Sequence, residues 1–381
     1  MIFLFWLFLG LIIYCYFGYP LLLSLCAKVR KKAVRKSSIE PTVSVILSVF
    51  NEEHHIERKI QNLLSLEYPR EKINFFIGSD GSTDQTCAVI RKFADLDPRV
   101  CLVEFKERRG KMAVLNSLAQ KVSHEVIVFT DARQDFERDA IQQLVNNFHD
   151  PLIGCVSGEL LLSRKEGATA EGLNLYWNYE KMIRRRESDL HSMLGATGAI
   201  YAIRRELFRP LPENIVLDDM YIPLSIVSMG YRAVFDDSAK AYDEVAESPK
   251  QEYRRKARTL YGNYQIFGMF KKLFVPGFSP VSIQFFSHKV LRVIAPMILI
   301  GLFFVNLLLI GKPSYTIGVF LQMIFYSMAG IGALVRYEKY GMLKVIARIC
   351  YIPYVFCLLN FSALAGFMRF ISAKQSVMWD K

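Results

Sequence analysis

Four stretches of this chain carry no charged residue: Met1 to Ala27, Val293 to Gly311, Pro313 to Val335 and Ile349 to Met368. About 20 consecutive apolar residues cross the hydrocarbon core of a bilayer. The 381-residue chain therefore reads as one leading membrane helix over 1–27 and about three trailing ones over 290–371. Between them the residues are charged like those of a water-exposed domain. This segregation explains a hydrophobic content of 52%, high for a soluble enzyme.

The formal net charge is +12. Much of it flanks the apolar stretches: Lys28, Arg30, Lys31, Lys32, Arg35 and Lys36 follow the first, and Arg336, Lys339, Lys344 and Arg348 separate the last two. Membrane topology explains that placement better than nucleic-acid binding does, and no nucleic-acid partner is expected. The first stretch lacks a basic leading region and is too long for a cleaved signal, so a retained helix is expected. Its basic flank places the central domain in the cytoplasm. The seven cysteines show no metal-ligand spacing and no disulfide framework.

Within the middle, short β-branched runs alternate with helix-period segments. "VSVILSVF" reads as a buried strand, apolar on both faces. After it, Asn51 is a candidate helix N-cap, and Ile56, Ile60, Leu63 and Leu64 form one stripe. "INFFIGSD", "VCLVEF" and "VIVFT" continue the strand series, with "IGCVSGEL" as a possible fifth. Such alternation predicts βαβ units in a parallel sheet covered by helices on both faces. Ligands of such sheets bind at the carboxyl ends of the strands. Three polar clusters occupy those ends: Asn51-Glu52-Glu53, Asp80-Gly81-Ser82 and Asp131-Ala132-Arg133. They are expected to converge on one crevice.

The ordered pieces "SVFNEE", "GSDGSTDQT", "RRGKMAVLN", "FTDAR", "GATGAIYAIRRELF", "LDDMYIPLSIVSMGYR" and "RRKARTLYGNYQ", bracketed by membrane spans, resemble the membrane-bound family-2 glycosyltransferases. Their layout looks like that of exopolysaccharide synthases of the hyaluronan, cellulose and poly-N-acetylglucosamine type. The resemblance implies an α/β, Rossmann-like GT-A domain over residues 28–250, followed by interfacial amphipathic helices over 251–289.

The resemblance also implies roles. Asp80 and Ser82 would meet the nucleotide, with Asp80 accepting from the imide N–H of uracil, and Asn51, Glu52 and Glu53 would wrap base and ribose. Lys111 would face the base or the diphosphate. Asp131 matches the first residue of a DxD motif, whose role is to hold Mg²⁺ or Mn²⁺ against the diphosphate. Arg133 stands where that motif has its second carboxylate, with Asp131, Asp135 or a phosphate as its open choices of partner. Asp218-Asp219 matches an acidic pair, the second member of which takes the proton from the acceptor hydroxyl.

For the family's Q-x-x-R-W motif two registers exist. One sets Gln251 and Arg254 on the motif; the other, favoured by the following Gly262-Asn263, sets Arg255 and Arg258 there, with Arg258 toward the diphosphate. The tryptophan is absent in both. Gly195, Thr197 and Gly198 would line an acceptor channel, and Trp177 would meet acceptor sugars or lipid headgroups. The resulting expectation is inverting transfer from a UDP-sugar to a growing or lipid-linked glycan at a membrane, with other polysaccharide synthesis or export proteins as partners. The alternatives are a single-sugar transferase acting on a lipid carrier, and an inactive nucleotide-binding scaffold.

Overall fold

The computed structural model describes residues 1–162, 168–243, 249–334 and 341–372, with side chains left aside at 168–175, 249–252 and 341–348. The described residues divide into two compact units, one built from Met1–Lys28, Arg164–Ile183 and Val245–Gln375, the other from Val29–Ser163 and Arg184–Glu244.

The second unit is built on an eight-stranded sheet. Its strands are β1 (Val43–Val49), β2 (Ile73–Asp80), β3 (Val100–Phe105), β4 (Val126–Thr130), β5 (Asp135–Phe136), β6 (Ile153–Leu162), β7 (Ile200–Arg204) and β8 (Arg232–Asp243). Their order is β3-β2-β1-β4-β7-β6-β8-β5. Every residue of β1 is buried, as its unbroken apolar run requires of a strand covered on both faces. β1 pairs in parallel with β2 and β4, and Val49 lies opposite Ser79 while Leu47 lies opposite Thr130. The carboxyl ends of these strands are therefore level, which sets their polar clusters along one edge.

The sheet is mixed, not the wholly parallel one expected. β7 runs antiparallel to both β4 and β6, and β5 antiparallel to β8. Alternating hydrophobicity encodes which face is buried but not strand direction, and β7 is entered from the loop 195–199 instead of from a crossover helix. The antiparallel pairing has a local consequence. It sets Tyr201 opposite Phe129 with their rings stacked at 4.4 Å, and so carries the Tyr201 hydroxyl to the helix that begins at Asp218.

The helix Lys111–Lys121 packs so closely on β2 that a Cβ at Gly78 would fall 2.4 Å from Val114 Cγ1. That approach fixes where Lys111, its first residue, emerges. The preceding Gly110 has φ of +88°, a conformation that side chains with a Cβ seldom adopt.

The first unit contains four helices long and apolar enough to cross a membrane: Ile2–Val29, Ser282–Leu307, Pro313–Leu334 and Ile349–Ile371. They mark a membrane protein. Small residues permit close approach: a Cβ at Gly332 would meet the carbonyl oxygen of Cys350 at 2.4 Å, and one at Gly366 the backbone nitrogen of Tyr261, on the helix Pro249–Met269, at 2.9 Å. Glu180 is paired with both His288, at 3.2 Å, and Arg292, so this buried carboxylate is held by basic partners.

Candidate active site

The first two polar clusters are laced together by their backbone amides. Asn51 N–H donates to Ser82 Oγ at 3.1 Å, Glu52 N–H to Thr86 Oγ1 at 2.8 Å and Glu53 N–H to Asp84 Oδ2 at 3.2 Å. In return Asn51 Oδ1 accepts from Thr83 N–H at 2.8 Å, and Glu53 Oε2 from Gln85 N–H at 3.1 Å. This corrects the reading of Asn51 as an N-cap. The helix starts only at Ile56, after His55, and Asn51 serves the neighbouring loop instead. To do so it adopts φ of +51°, the only positive φ of a non-glycine among the described residues. Strain of this kind persists where surrounding bonds over-determine the backbone, and it collects at ligand sites.

Asp80 links this edge to the next element. Its buried carboxylate accepts from Arg109 N–H at 2.6 Å and from Gly110 N–H at 3.0 Å. The Arg108 guanidinium lies 3.8 Å over the Phe50 ring. The loop 108–110 is thereby held, and the helix beginning at Lys111 is aimed at the third cluster. Lys111 Nζ reaches Asp131 Oδ1 at 3.1 Å and Asp218 Oδ1 at 3.2 Å. Burial alone would push this ammonium down, but Asp131, Asp218 and Asp219 outweigh it and hold Lys111 protonated.

Asp218 and Asp219 open the helix Asp218–Ser228, where carboxylates are favoured by the unpaired N–H groups of the first turn. Asp218 is buried and accepts from the Tyr201 hydroxyl at 3.1 Å. Asp219 is partly buried, and the loop that contains Gly195, Thr197 and Gly198 wraps it. Ala196 N–H donates to the Asp219 carbonyl at 2.7 Å, and a Cβ at Gly198 would sit 3.2 Å from Asp219 Oδ2. The loop is anchored by Thr197, whose N–H donates to Ser157 Oγ at 2.9 Å and whose hydroxyl accepts from Arg184 Nη1 at 2.8 Å. Burial and the neighbouring Asp218 push the Asp219 carboxyl up to about 6, while Lys111 and Arg184 pull it down.

Asn51, Glu52, Glu53, Asp80, Ser82, Lys111, Asp131, Gly195, Thr197, Gly198, Asp218 and Asp219 thus form one connected set along the carboxyl edge of the sheet. Arg133 does not join it. Its side chain is exposed and forms no ion pair among the described residues; Asp131 takes Lys111, and Asp135 takes Arg58 Nε at 3.3 Å. Trp177, Arg255 and Arg258 belong to the helical unit. There Lys256 Nζ sits 4.7 Å from the ring centroids of both Tyr176 and Trp177, so the basic segment packs on the aromatic stripe. Gln251 lies outside the residues whose side chains are described.

Sequence reading missed three side chains that build the site. Tyr201 and Arg184 carry no motif that would single them out in the sequence. Lys59 carried a visible signal, since it interrupts the apolar stripe of its own helix and is nevertheless fully buried.

The carboxylates bear on a metal. Asp131 is a hard oxygen donor, about a third exposed at 32%. Among the described residues no group of three or more histidines, cysteines and acids is spaced to hold an ion. Asp131 is thus a single oxygen donor of the type that suits Mg²⁺ or Mn²⁺, with no larger ligand cluster around it among the described residues.

Residues 44–211 match the model of glycosyl transferase family 2. Together with the GT-A sheet and the strand-edge carboxylates, this match identifies the segment 44–211 as a family-2 glycosyl transferase domain. Asp218 and Asp219 lie beyond the matched residues. The chain is 23% identical over 229 residues to the poly-beta-1,6-N-acetyl-D-glucosamine synthase of Staphylococcus aureus strain COL, covering 59% of this chain and 55% of the synthase. It is 24% identical over 238 residues to a probable glycosyltransferase, YdaM, of Bacillus subtilis strain 168, covering 59% and 56%. The chain thus spans about half the length of the curated relatives it matches. Among solved structures, a mannosyltransferase from Pyrobaculum calidifontis in complex with GDP-Man and Mn²⁺ superimposes with a TM-score of 0.72 at 22% identity, over 98% of this chain and 100% of that one. That likeness establishes a shared fold.

Proposed function

We propose that this protein transfers a sugar from a nucleoside diphosphate sugar, with a UDP-sugar as first candidate, to a glycan or lipid-linked acceptor at the cytoplasmic face of a membrane. The observation that carries the reading is the Asp131–Lys111–Asp218 chain of ion pairs ending beside Asp219, which unites a donor-side carboxylate and a candidate base in one crevice.

Asp219 removes the proton of the acceptor hydroxyl as that oxygen forms a bond to the anomeric carbon. The bond from that carbon to the diphosphate oxygen breaks, and its electron pair leaves with the nucleoside diphosphate. One displacement inverts the anomeric centre. A carboxyl raised to about 6 is still mostly ionised at neutral pH and is a stronger base than a free aspartate. Tyr201 and Lys111 fix Asp218, so the helix start does not swing when the proton arrives. Asp131 would hold a divalent ion, which when bound offsets the charge of the departing diphosphate. Lys111 supplies positive charge at the same place, and Gly198 leaves room for an acceptor oxygen against Asp219.

Transfer of a single sugar is the second reading, favoured by the missing tryptophan, whose place is taken by Thr259 in the register through Arg255 and Arg258. Membranes containing the protein, given UDP- and GDP-sugars with Mn²⁺ or Mg²⁺, are expected to release nucleotide and label a lipid-extractable or polymeric product. Product length separates the two readings. Asp219→Asn is expected to lower turnover at least a thousandfold while nucleotide binding is retained; an active variant would remove Asp219 as the base.

A further inference from the structure

Lys59 is fully buried beneath the site, on the helix Ile56–Leu64. Its ammonium touches no carboxylate. It donates to the Gln134 carbonyl at 2.6 Å and to Thr130 Oγ1 at 2.9 Å, and lies 4.3 Å from the centroid of the Phe136 ring. A buried ammonium satisfied only by neutral groups is costly, because none of these partners returns the hydration energy of a full charge. Burial pushes it down to about 7, against the opposing pull of Asp135 and Asp131. An apolar residue at this place in the helix stripe would cost the fold less.

The partners explain what the charge holds. Gln134 and Thr130 bracket Asp131, so Lys59 grips both ends of the turn that presents that carboxylate. Arg58 secures the same turn from outside, through the Arg133 carbonyl at 2.7 Å and Asp135. Thr130 Oγ1 also donates to the Ala199 carbonyl at 3.0 Å. Ala199 directly follows Gly198, whose position against Asp219 sets the space beside the base. One ammonium therefore ties the loop of Asp131 to the loop that packs on Asp219, through a single threonine hydroxyl.

We propose that Lys59 is a positioning residue that holds the donor-side turn 131–134 and the acceptor-side loop 195–199 in register, and that the buried amine serves this and not stability. The proposal rests on the glycosyltransferase reading of the site. It predicts a separation between two variants of the full chain in detergent. Lys59→Met is expected to melt at the same temperature as the wild type or higher. It should weaken UDP or GDP binding in the presence of Mn²⁺ at least fivefold by calorimetry, and lower kcat at least tenfold. Thr130→Val cuts the branch to Ala199 and leaves the bond to Gln134. It is expected to lower kcat at least fivefold with nucleotide affinity within twofold of wild type.

A Lys59→Met protein that melts lower but keeps kcat and nucleotide affinity within twofold would overturn the proposal, since Lys59 would then be only a structural residue. If Lys59→Met does not accumulate, Thr130→Val decides alone: the kcat loss at unchanged affinity supports the link, and an unchanged kcat overturns it. If the wild type binds neither nucleotide and turns over no donor, the functional reading fails and takes the proposal with it.

Discussion

Asp131 and Arg133 sit two residues apart and answer differently to the same neighbourhood. Asp131 faces the crevice and is bound by Lys111, whereas Arg133 points to solvent. An exposed guanidinium is screened by water and salt, so its electrostatic reach into the site is small. Arg133→Ala is therefore expected to change donor or metal affinity less than Asp131→Ala does, within about threefold against tenfold or more, by titration with UDP and Mn²⁺. The reverse order would make the arginine the main charge partner of the donor. Asp219 gives a pH signature. As the proposed base it would work ionised, so kcat/KM is expected to fall as pH drops through about 6. Lys111 pulls that value down, so Lys111→Gln should move the acid limb to higher pH; a limb that stays put would show that Lys111 does not act on the base. Asp80 and Asp131 were read from their strand ends and the Asp218-Asp219 pair from the family resemblance, and the fold sets these carboxylates at a common edge. Lys59 was hidden because a lysine among helix residues ordinarily reads as solvent-facing, and only its break in the apolar stripe betrays it.

At the scale of elements, the parallel half of the sheet could be read from its buried runs, while the antiparallel half could not. β7 was missed as the strand between β4 and β6, since pairing order depends on contacts between residues distant in sequence. Its importance is that it ends the loop 195–199 beside Asp219. The loop is tight by composition: Gly198 has no Cβ where one would press on the carboxylate at 3.2 Å. Gly198→Ala should leave the melting temperature within about 2 °C, because the neighbour must shift only by tenths of an ångström, and lower kcat tenfold or more by crowding the base and the acceptor oxygen. Unchanged kcat would mean that no reacting atom passes there. The helix Lys111–Lys121 teaches a related point. Its start was readable from "RRGK", but the destination of Lys111 depends on the close seat over Gly78, which no local pattern announces.

Taken whole, the molecule joins a charged sheet unit and an apolar helical unit in one chain. The uncharged stretches announced the second from composition alone, because a bilayer leaves little choice to so many apolar residues. The protein is expected to stay with membranes through high-salt and alkaline washes and to leave them only with detergent; release by salt would identify surface attachment through the basic flanks. The bridge made by Lys111 carries a further consequence for the order of events. In the resting crevice Lys111 already offsets part of the negative charge of Asp131, Asp218 and Asp219, which weakens the hold of the site on a free divalent ion. The incoming diphosphate changes that balance by bringing negative charge of its own. The working substrate is then expected to be the metal–nucleotide complex, with a rate that follows the concentration of that complex more closely than that of metal supplied in advance.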